Sequence, residues 1–207
     1  DIGERVGGSP GERKALKFVR SRFKEIGLEN PRLEEFEFAN CAFGEYGGEA
    51  RVGRKRMKLT TRPVEYAKST PRGGVEGEVL FMDQGMRADY GGPELKGKIG
   101  LFLGAPMSRE SLECMHGSGL AAAIIVDNRQ FSRWPMSLGF PEMWANRIRM
   151  PLFSLSYEQA WELATSRKPV TARLWAKSRR MKSKSANAIA ELPGTDRKLA
   201  GEVLYVS

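Results

Sequence analysis

One set of apolar residues recurs at helical spacing near the start of the chain. Its members lie three or four positions apart, namely Leu16, Val19, Phe23 and Ile26. This spacing predicts a helix over residues 9–27 with one stripe turned inward. Ser9 and Glu12 have the spacing of a capping box at the helix start, and Gly27 is a typical helix stop. The sequence therefore predicts one amphipathic helix at this end.

Strand patterns occupy much of the remaining chain. Alternating or continuous apolar residues predict strands at 33–38, 75–82, 98–103, 121–127, 150–156, 170–177, 185–192 and 201–207. The stretch between 39 and 75 is interrupted by glycines and predicts only short strand-like pieces. Two more helices are predicted, one beginning at Ser108 and one after Ser156. Residues 128–149 show no clean period and predict a long structured loop.

The segment from ELKGKIGLFLG (94–104) to GSGLAAAIIVDN (117–128) is a strand, a helix and a second strand joined by glycines. No nucleophile, base or ligand cluster lies between them. So compact an α/β unit without a chemical site favours a binding or covering module.

The chain is basic, with a formal net charge of +9. Its basic residues concentrate in RVGRKRMK (51–58) and KSRRMKSK (177–184), which we interpret as solvated, flexible stretches, the second as a linker. An anionic partner such as nucleic acid or acidic lipid is the alternative. Neither stretch interleaves aromatic with basic residues and no nucleic-acid motif accompanies them, so nucleic acid is disfavoured. The longest apolar run, 120–126, is far short of the roughly 20 residues of a membrane span.

Residues for catalysis or metal binding are few. The chain has one histidine, His116, and two cysteines, Cys41 and Cys114. His116 and Cys114 are two positions apart on a predicted helix, so they cannot face each other as a dyad. One histidine and two distant cysteines do not make a complete zinc site. The dinucleotide-like GSGLAA (117–122) follows a helix and opens a strand, which is the wrong context for that motif.

The order of these motifs resembles a known arrangement. VEGEVLFMD (75–83), ELKGKIGLFLG, AAAIIVDN and MPLFSLS (150–156) resemble the protease-associated (PA) domain. The flanking segments, RVGGSPGERKALKFVRSRFKEIGL (5–28) and SANAIAELPGT (185–195), resemble zinc aminopeptidases related to vacuolar aminopeptidase Y and glutamate carboxypeptidase. In that family a PA domain is inserted into the peptidase domain.

The resemblance implies an α/β (α+β) fold with two regions. Residues 1–39 and 179–207 would form a small helix-plus-sheet fragment of a metallopeptidase domain, with strands 33–38 and 185–192 adjacent. Residues 40–178 would form the inserted PA domain, a mixed β-sheet or open barrel with flanking helices. This chain would be the non-catalytic N-terminal portion of a zinc-dependent exopeptidase, its PA domain covering or shaping the substrate entrance.

In the family the strand resembling GEVLYVS (201–207) leads into H-x-D, the first ligands of a two-metal site. The metal ligands and base would thus follow Ser207, leaving no cofactor in this chain and two zinc ions in the complete enzyme. The alternative is a stand-alone PA-type module that binds peptide or protein without peptidase activity. H-x-D encoded within a few residues after Ser207 would favour the peptidase, and a stop codon the module.

The long loop supplies the candidate binding residues. It carries Arg129, Phe131, Arg133, Trp134, Trp144, Arg147 and Arg149. Tryptophan and arginine are enriched at binding hot spots, and arginine can hold a peptide carboxylate. We therefore expect peptide or partner contacts at Arg129, Arg133, Trp134, Trp144 and Arg147, unless the two tryptophans only pack the loop onto its own domain. A homo-oligomer is also expected through the unit formed by 1–39 and 179–207, because the strand predicted at 201–207 would present an open edge.

Overall fold

The computed structural model describes residues 5–85, 93–105, 107–127, 133–196, 198–199 and 201–206. Within these ranges the helices are α1 (Pro10–Glu25), α2 (Arg109–Gly117) and α3 (Tyr157–Ala164). The strands are β1 (Glu29–Val52), β2 (Lys55–Leu59), β3 (Thr61–Pro63), β4 (Val75–Phe81), β5 (Ile99–Leu103), β6 (Ala122–Val126), β7 (Leu152–Leu155) and β8 (Val170–Glu191). The mixed α+β class predicted from the sequence is confirmed.

The strands form an eight-stranded mixed sheet in the order β2-β1-β8-β4-β5-β6-β7-β3. Strands β4 to β7 are parallel, whereas β8 and β3 flank them antiparallel. The chain divides into unit 1, residues 1–40 and 181–207, and unit 2, residues 41–180. Strands β1 and β8 each contain residues of both units. The identity of the two units as peptidase fragment and PA domain stays a prediction.

The central strands of unit 2 are buried on both faces. One apolar cluster takes alternate strand residues together with α3, including Ile99, Leu101, Leu103, Ala122, Ile124, Val126, Ala160 and Leu163. A second cluster takes the intervening residues together with α2, including Phe102, Ala123, Ile125, Leu152, Leu112 and Met115. Each large side chain buried in this way contributes ~1.5–3 kcal/mol. Burial on two faces explains why these strands are continuous apolar runs.

Helix α1 in unit 1 begins and ends as the sequence predicted. The Ser9 Oγ accepts from the Glu12 backbone N–H at 3.1 Å, and Glu12 Oε2 accepts from the Gly8 N–H at 2.6 Å. At the other end Gly27 has φ +81°, and the Leu28 N–H donates to the Phe23 carbonyl in a Schellman arrangement. The predicted inward stripe is only partly covered, since no α1 residue is fully buried.

Strands β1 and β8 are neighbours in the sheet, so the expected adjacency of residues 33–38 and 185–192 is confirmed. Side chains within unit 1 bridge them. Arg32 Nη1 lies 2.7 Å from Glu191 Oε1, and Asn40 Nδ2 donates to Ser183 Oγ at 3.0 Å.

Three local predictions were wrong, and two concern long strands. The basic segment 177–184 belongs to β8 and is not a linker. Exposed charges occur both in flexible linkers and on the solvent side of a strand, so they do not distinguish the two. Backbone pairing with neighbouring strands is what makes this segment part of a strand. The glycine-rich stretch after residue 39 continues β1 without a break to Val52. A Cβ on Gly47 would lie 2.6 Å from Trp175 Cζ2, so this glycine permits close packing and does not end the strand.

The third wrong prediction is the strand at 201–207. Its described residues, 201–206, are not in a strand, and Val203 to Val206 are 72–90% exposed. β-propensity depends on neighbouring strands and burial, and no strand among the described residues pairs with this segment.

Two adjacent glycines before β4 allow a matched stability test. Gly73 and Gly74 have φ of +93° and +92°, but only a Cβ on Gly74 would clash, at 2.6 Å from the Leu174 carbonyl oxygen. We expect Gly73→Ala to cost about 1 kcal/mol through backbone strain. Gly74→Ala should cost at least about 2 kcal/mol more, because a backbone atom must move. Urea unfolding measures both, and equal losses would contradict this packing.

Candidate functional site

The described members of the predicted binding set, which are Arg133, Trp134, Trp144 and Arg147, do not converge on one site. Arg133 and Trp134 are strongly exposed, and Arg133 Nε lies 3.8 Å from Glu158 Oε2 on α3. Arg147 Nη1 instead lies 3.6 Å from Glu113 Oε1 on α2. The two arginines thus pair with helices that belong to different apolar clusters.

Trp144 lies in a short 3-10 helix, Glu142–Trp144. It is half-buried and packs against the second apolar cluster, which contains Leu112 and Met115 of α2 and is called the α2-side cluster below. Arg129 and Phe131 lie outside the described residues. The role of the five candidates as contacts for peptide or partner stays a prediction.

A polar pocket lies elsewhere in unit 2. It has a volume of about 390 Å³ and is lined by Cys41, Tyr66, Ala67, Lys68, Ser69, Ala145, Asn146, Arg149, Ser178 and Arg180. The long loop contributes its last part, residues 145–149. β1 contributes one residue, β8 contributes Ser178 and Arg180, and the segment after β3 contributes residues 66–69. This volume falls within the range of small-molecule sites, ~300–1,000 Å³.

Hydroxyl groups hold the 66–69 wall against β8. The Ser178 backbone N–H donates to Ser69 Oγ at 3.0 Å, and Ser178 Oγ donates to the Ala67 carbonyl at 3.0 Å. The next residue, Thr70, continues this pattern, because its Oγ1 accepts from the Ala176 N–H at 3.1 Å. Side chains thus provide bonds that a strand would make through its backbone, which leaves the segment free to curve around the pocket.

The same wall is fixed on its other side. The Glu65 N–H donates to the Leu138 carbonyl, and the Lys68 N–H donates to the Met150 carbonyl. Between these anchors Tyr66 has φ +68°, a region that non-glycine residues seldom adopt. Strained backbone of this kind is enriched at functional sites and costs ~1–3 kcal/mol. The surrounding hydrogen bonds therefore hold Tyr66 in a defined, unfavourable conformation beside the pocket.

The pocket is rich in positive charge. Lys68, Arg149 and Arg180 all line it, and none of the three forms an ion pair with a carboxylate among the described residues. The Arg149 Nε donates to the Asn146 carbonyl at 2.9 Å. This hydrogen bond orients the guanidinium group but leaves its positive charge unpaired with a carboxylate of the described residues. The acidic groups that act on this region are Glu65 and Glu142, neither of which lines the pocket.

Two ionisable groups on the pocket wall, Cys41 and Tyr66, have raised pKa values. Burial raises the pKa of the Cys41 thiol, with Glu65 adding to the rise. The Tyr66 backbone N–H, which donates to the sulfur, and the Arg180 charge act in the opposite direction. The pKa of the Tyr66 hydroxyl is also raised, by burial first and then by the charge of Glu142. Cys41 is therefore a protonated, weakly nucleophilic thiol at neutral pH.

The described residues do not fit a zinc site. No group of three or more histidine, cysteine, aspartate or glutamate side chains among them could hold a metal ion. Cys114 and His116 both lie on α2, as the sequence predicted. Among the described helices, none is long and apolar enough to cross a bilayer.

Pocket residues were missed because they are separated in sequence. Arg149 was noticed only as part of the loop, and Arg180 only as part of a basic run. Local pattern contains no sign that Cys41, Tyr66 and these arginines meet. The Ser/Thr-rich KST (68–70) before Pro71 was the available hint of a segment held by hydroxyl groups.

Comparison with known proteins shows a shared fold. No protein-family model and no curated protein matches the chain. The solved zinc aminopeptidase from Bacillus subtilis is similar over 95% of this chain and 45% of its own, at 19% identity and a TM-score of 0.66. A peptidase M28 precursor from Shewanella amazonensis SB2B is similar over 94% of this chain and 48% of its own, at 17% identity and a TM-score of 0.73.

An aminopeptidase from Aneurinibacillus sp. strain AM-1 is similar over 95% of this chain and 46% of its own, at 23% identity and a TM-score of 0.60. The chain therefore spans a little under half the length of these solved peptidases. At such identities the likeness shows that the chain has the fold of part of these M28-related peptidases.

The causes of the Cys41 pKa shift predict opposite effects of two substitutions. Glu65→Gln removes a negative charge and should lower the thiol pKa, so that alkylation by neutral iodoacetamide at a fixed pH near 8 becomes faster. Arg180→Ala should raise the pKa and slow alkylation. Rates at Cys41 are followed by peptide mass spectrometry, with Cys114 in the same sample as control. A change in the same direction in both variants would contradict the assigned electrostatics.

Proposed function

We propose that this chain is the non-catalytic N-terminal portion of a zinc-dependent aminopeptidase-type exopeptidase. The observation that carries the proposal is a likeness to solved aminopeptidases over nearly the whole chain, together with the matching order of sequence motifs. Residues 40–178 act as a PA domain that covers or shapes the substrate entrance. The zinc ions, two in the complete enzyme, are held by residues outside this chain.

Exposed apolar side chains in unit 1 support this proposal. Phe18, Ile26 and Phe36 are exposed, as are Leu192 and the segment 203–206. Large apolar side chains exposed in such number are expected to be covered by another polypeptide when they adjoin one another. The remainder of a peptidase domain is the cover we propose, because the similar structures are about twice as long as this chain. A second copy of the chain is the alternative cover.

The long loop has a role within this proposal. Its exposed Arg133, Trp134 and Arg147, with half-buried Trp144 and with Arg129, border the peptide path in the complete enzyme. The rival function is a stand-alone PA-type module that binds peptide or protein without hydrolysis. The observation that favours this rival is the polar pocket within unit 2, because a pocket in that unit could bind a ligand without catalysis.

Activity measurements on two lengths of polypeptide distinguish these functions. We expect the complete gene product to release amino-terminal residues from leucine p-nitroanilide and short peptides. Residues 1–207 alone should show no turnover above background, because no group of their described side chains could hold a metal ion. The matched control is the gene product with the histidine of the first H-x-D after Ser207 replaced by alanine.

Turnover by residues 1–207 alone would contradict the proposal that the catalytic and zinc-binding residues lie outside this chain. A stop codon directly after Ser207, with peptide binding but no hydrolysis, would establish the stand-alone module instead.

A further inference from the structure

We propose that the pocket in unit 2 lined by Lys68, Arg149 and Arg180 is a binding site for a carboxylate-bearing ligand. The ligand is a short peptide with a free carboxyl terminus or a small organic acid. This site differs from the arginine and tryptophan set that the sequence singled out. It requires no peptidase activity and so stands independently of the proposed function.

The three pocket cations differ from the ion-paired arginines in having no carboxylate partner among the described residues, and from other unpaired lysines and arginines in lining one concave surface together. Arg133 and Arg147 lie within 4 Å of glutamate oxygens, and Arg32 lies between Glu34 and Glu191. In the described part of the chain, the pocket cations have no such partner. A cation left unpaired beside a concave surface attracts an anion more strongly than one already neutralised.

The donor set suits a carboxylate. A guanidinium can bind both oxygens of a carboxylate through parallel N–H donors, and such charge-assisted bonds are about twice as strong as neutral ones. Arg149 is pre-positioned by its bond to the Asn146 carbonyl at 2.9 Å. Asn146 also lines the pocket, and an asparagine amide has the donors and acceptor that pair with a peptide group.

The remaining wall favours an organic ligand over a bare inorganic anion. Ala67 and Ala145 are buried core residues that also line the pocket, and the Tyr66 ring packs with Phe140 at 6.5 Å between centroids. A volume of about 390 Å³ leaves room beyond the carboxylate for a carbon skeleton. The hydrogen bonds that hold Tyr66 at positive φ keep this wall in place before a ligand arrives.

Cys41 provides a built-in reporter of occupancy, and Cys114 an internal control, because only Cys41 lines the pocket. The 207-residue chain is alkylated with neutral iodoacetamide in the presence of four probes. These are N-acetyl-Ala-Ala with a free carboxylate, its carboxy-terminal amide, succinate and inorganic phosphate. Rates at both cysteines are measured by mass spectrometry.

We expect a carboxylate probe to slow alkylation of Cys41 by at least about fivefold at saturation while leaving Cys114 unchanged. Protection by the dipeptide acid identifies a peptide terminus as the ligand class, and protection by succinate alone identifies a small organic acid. Arg149→Ala and Arg180→Ala should each raise the half-protecting concentration by about tenfold. Arg149→Lys should retain part of the protection, and Arg133→Ala and Arg147→Ala should retain all of it.

Four results would overturn the proposal. The first is equal protection by the dipeptide amide, and the second is protection by phosphate alone. The third is that Arg133→Ala or Arg147→Ala abolishes protection while Arg149→Ala and Arg180→Ala leave it unchanged. That result would place the binding site at Arg133 and Arg147 and not in the pocket. Absence of protection by every probe would also refute it. Circular dichroism of each variant confirms that the fold is intact.

Discussion

Burial of the parallel strands of unit 2 on both faces is the constraint on which the rest of the structure depends. Strands β5, β6 and β7 pack against the α2-side cluster on one face and the α3-side cluster on the other. Side chains in that interior must be apolar or fully hydrogen-bonded, as Ser154 is through its bond to the Met136 carbonyl. Charged and reactive groups are therefore excluded from β5, β6 and β7 and lie on the helices, the loops and the outer strands.

The polar pocket follows from this confinement. Segment 64–70 leaves the sheet after β3 and is held by hydroxyl and backbone bonds to β8 and to the loop ahead of β7. That path puts Lys68 near Arg180, and the end of the loop adds Arg149. The buried strands thus form a scaffold, and segment 64–70 contributes polar side chains to the pocket. Binding residues often lie on loops that a rigid scaffold positions in this way.

Residue spacing along the chain predicted those helices and strands whose formation is determined by nearby residues. The capping residues of α1, the α2 start at Ser108, the half-exposed strand β4 and the buried strands β5 and β6 were all predictable, because side-chain period and burial agree there. The basic segment 177–184 was not, since its place in β8 depends on backbone pairing with distant strands. The pocket could not be predicted, because Cys41, Tyr66 and Arg180 meet only in the folded chain. Segment 201–206 shows the converse, since its composition is strand-like but it has no partner strand among the described residues.

The central claim is that this chain has the fold of part of a zinc peptidase, while its described residues contain no group that could hold a metal ion. Zinc content per polypeptide, measured by elemental analysis after gel filtration, tests it most directly. The account predicts less than about 0.1 zinc ion per chain for residues 1–207, since a stable zinc site needs three or four suitable ligands. It predicts about two for the complete gene product. One or more tightly bound zinc ions on residues 1–207 would contradict it.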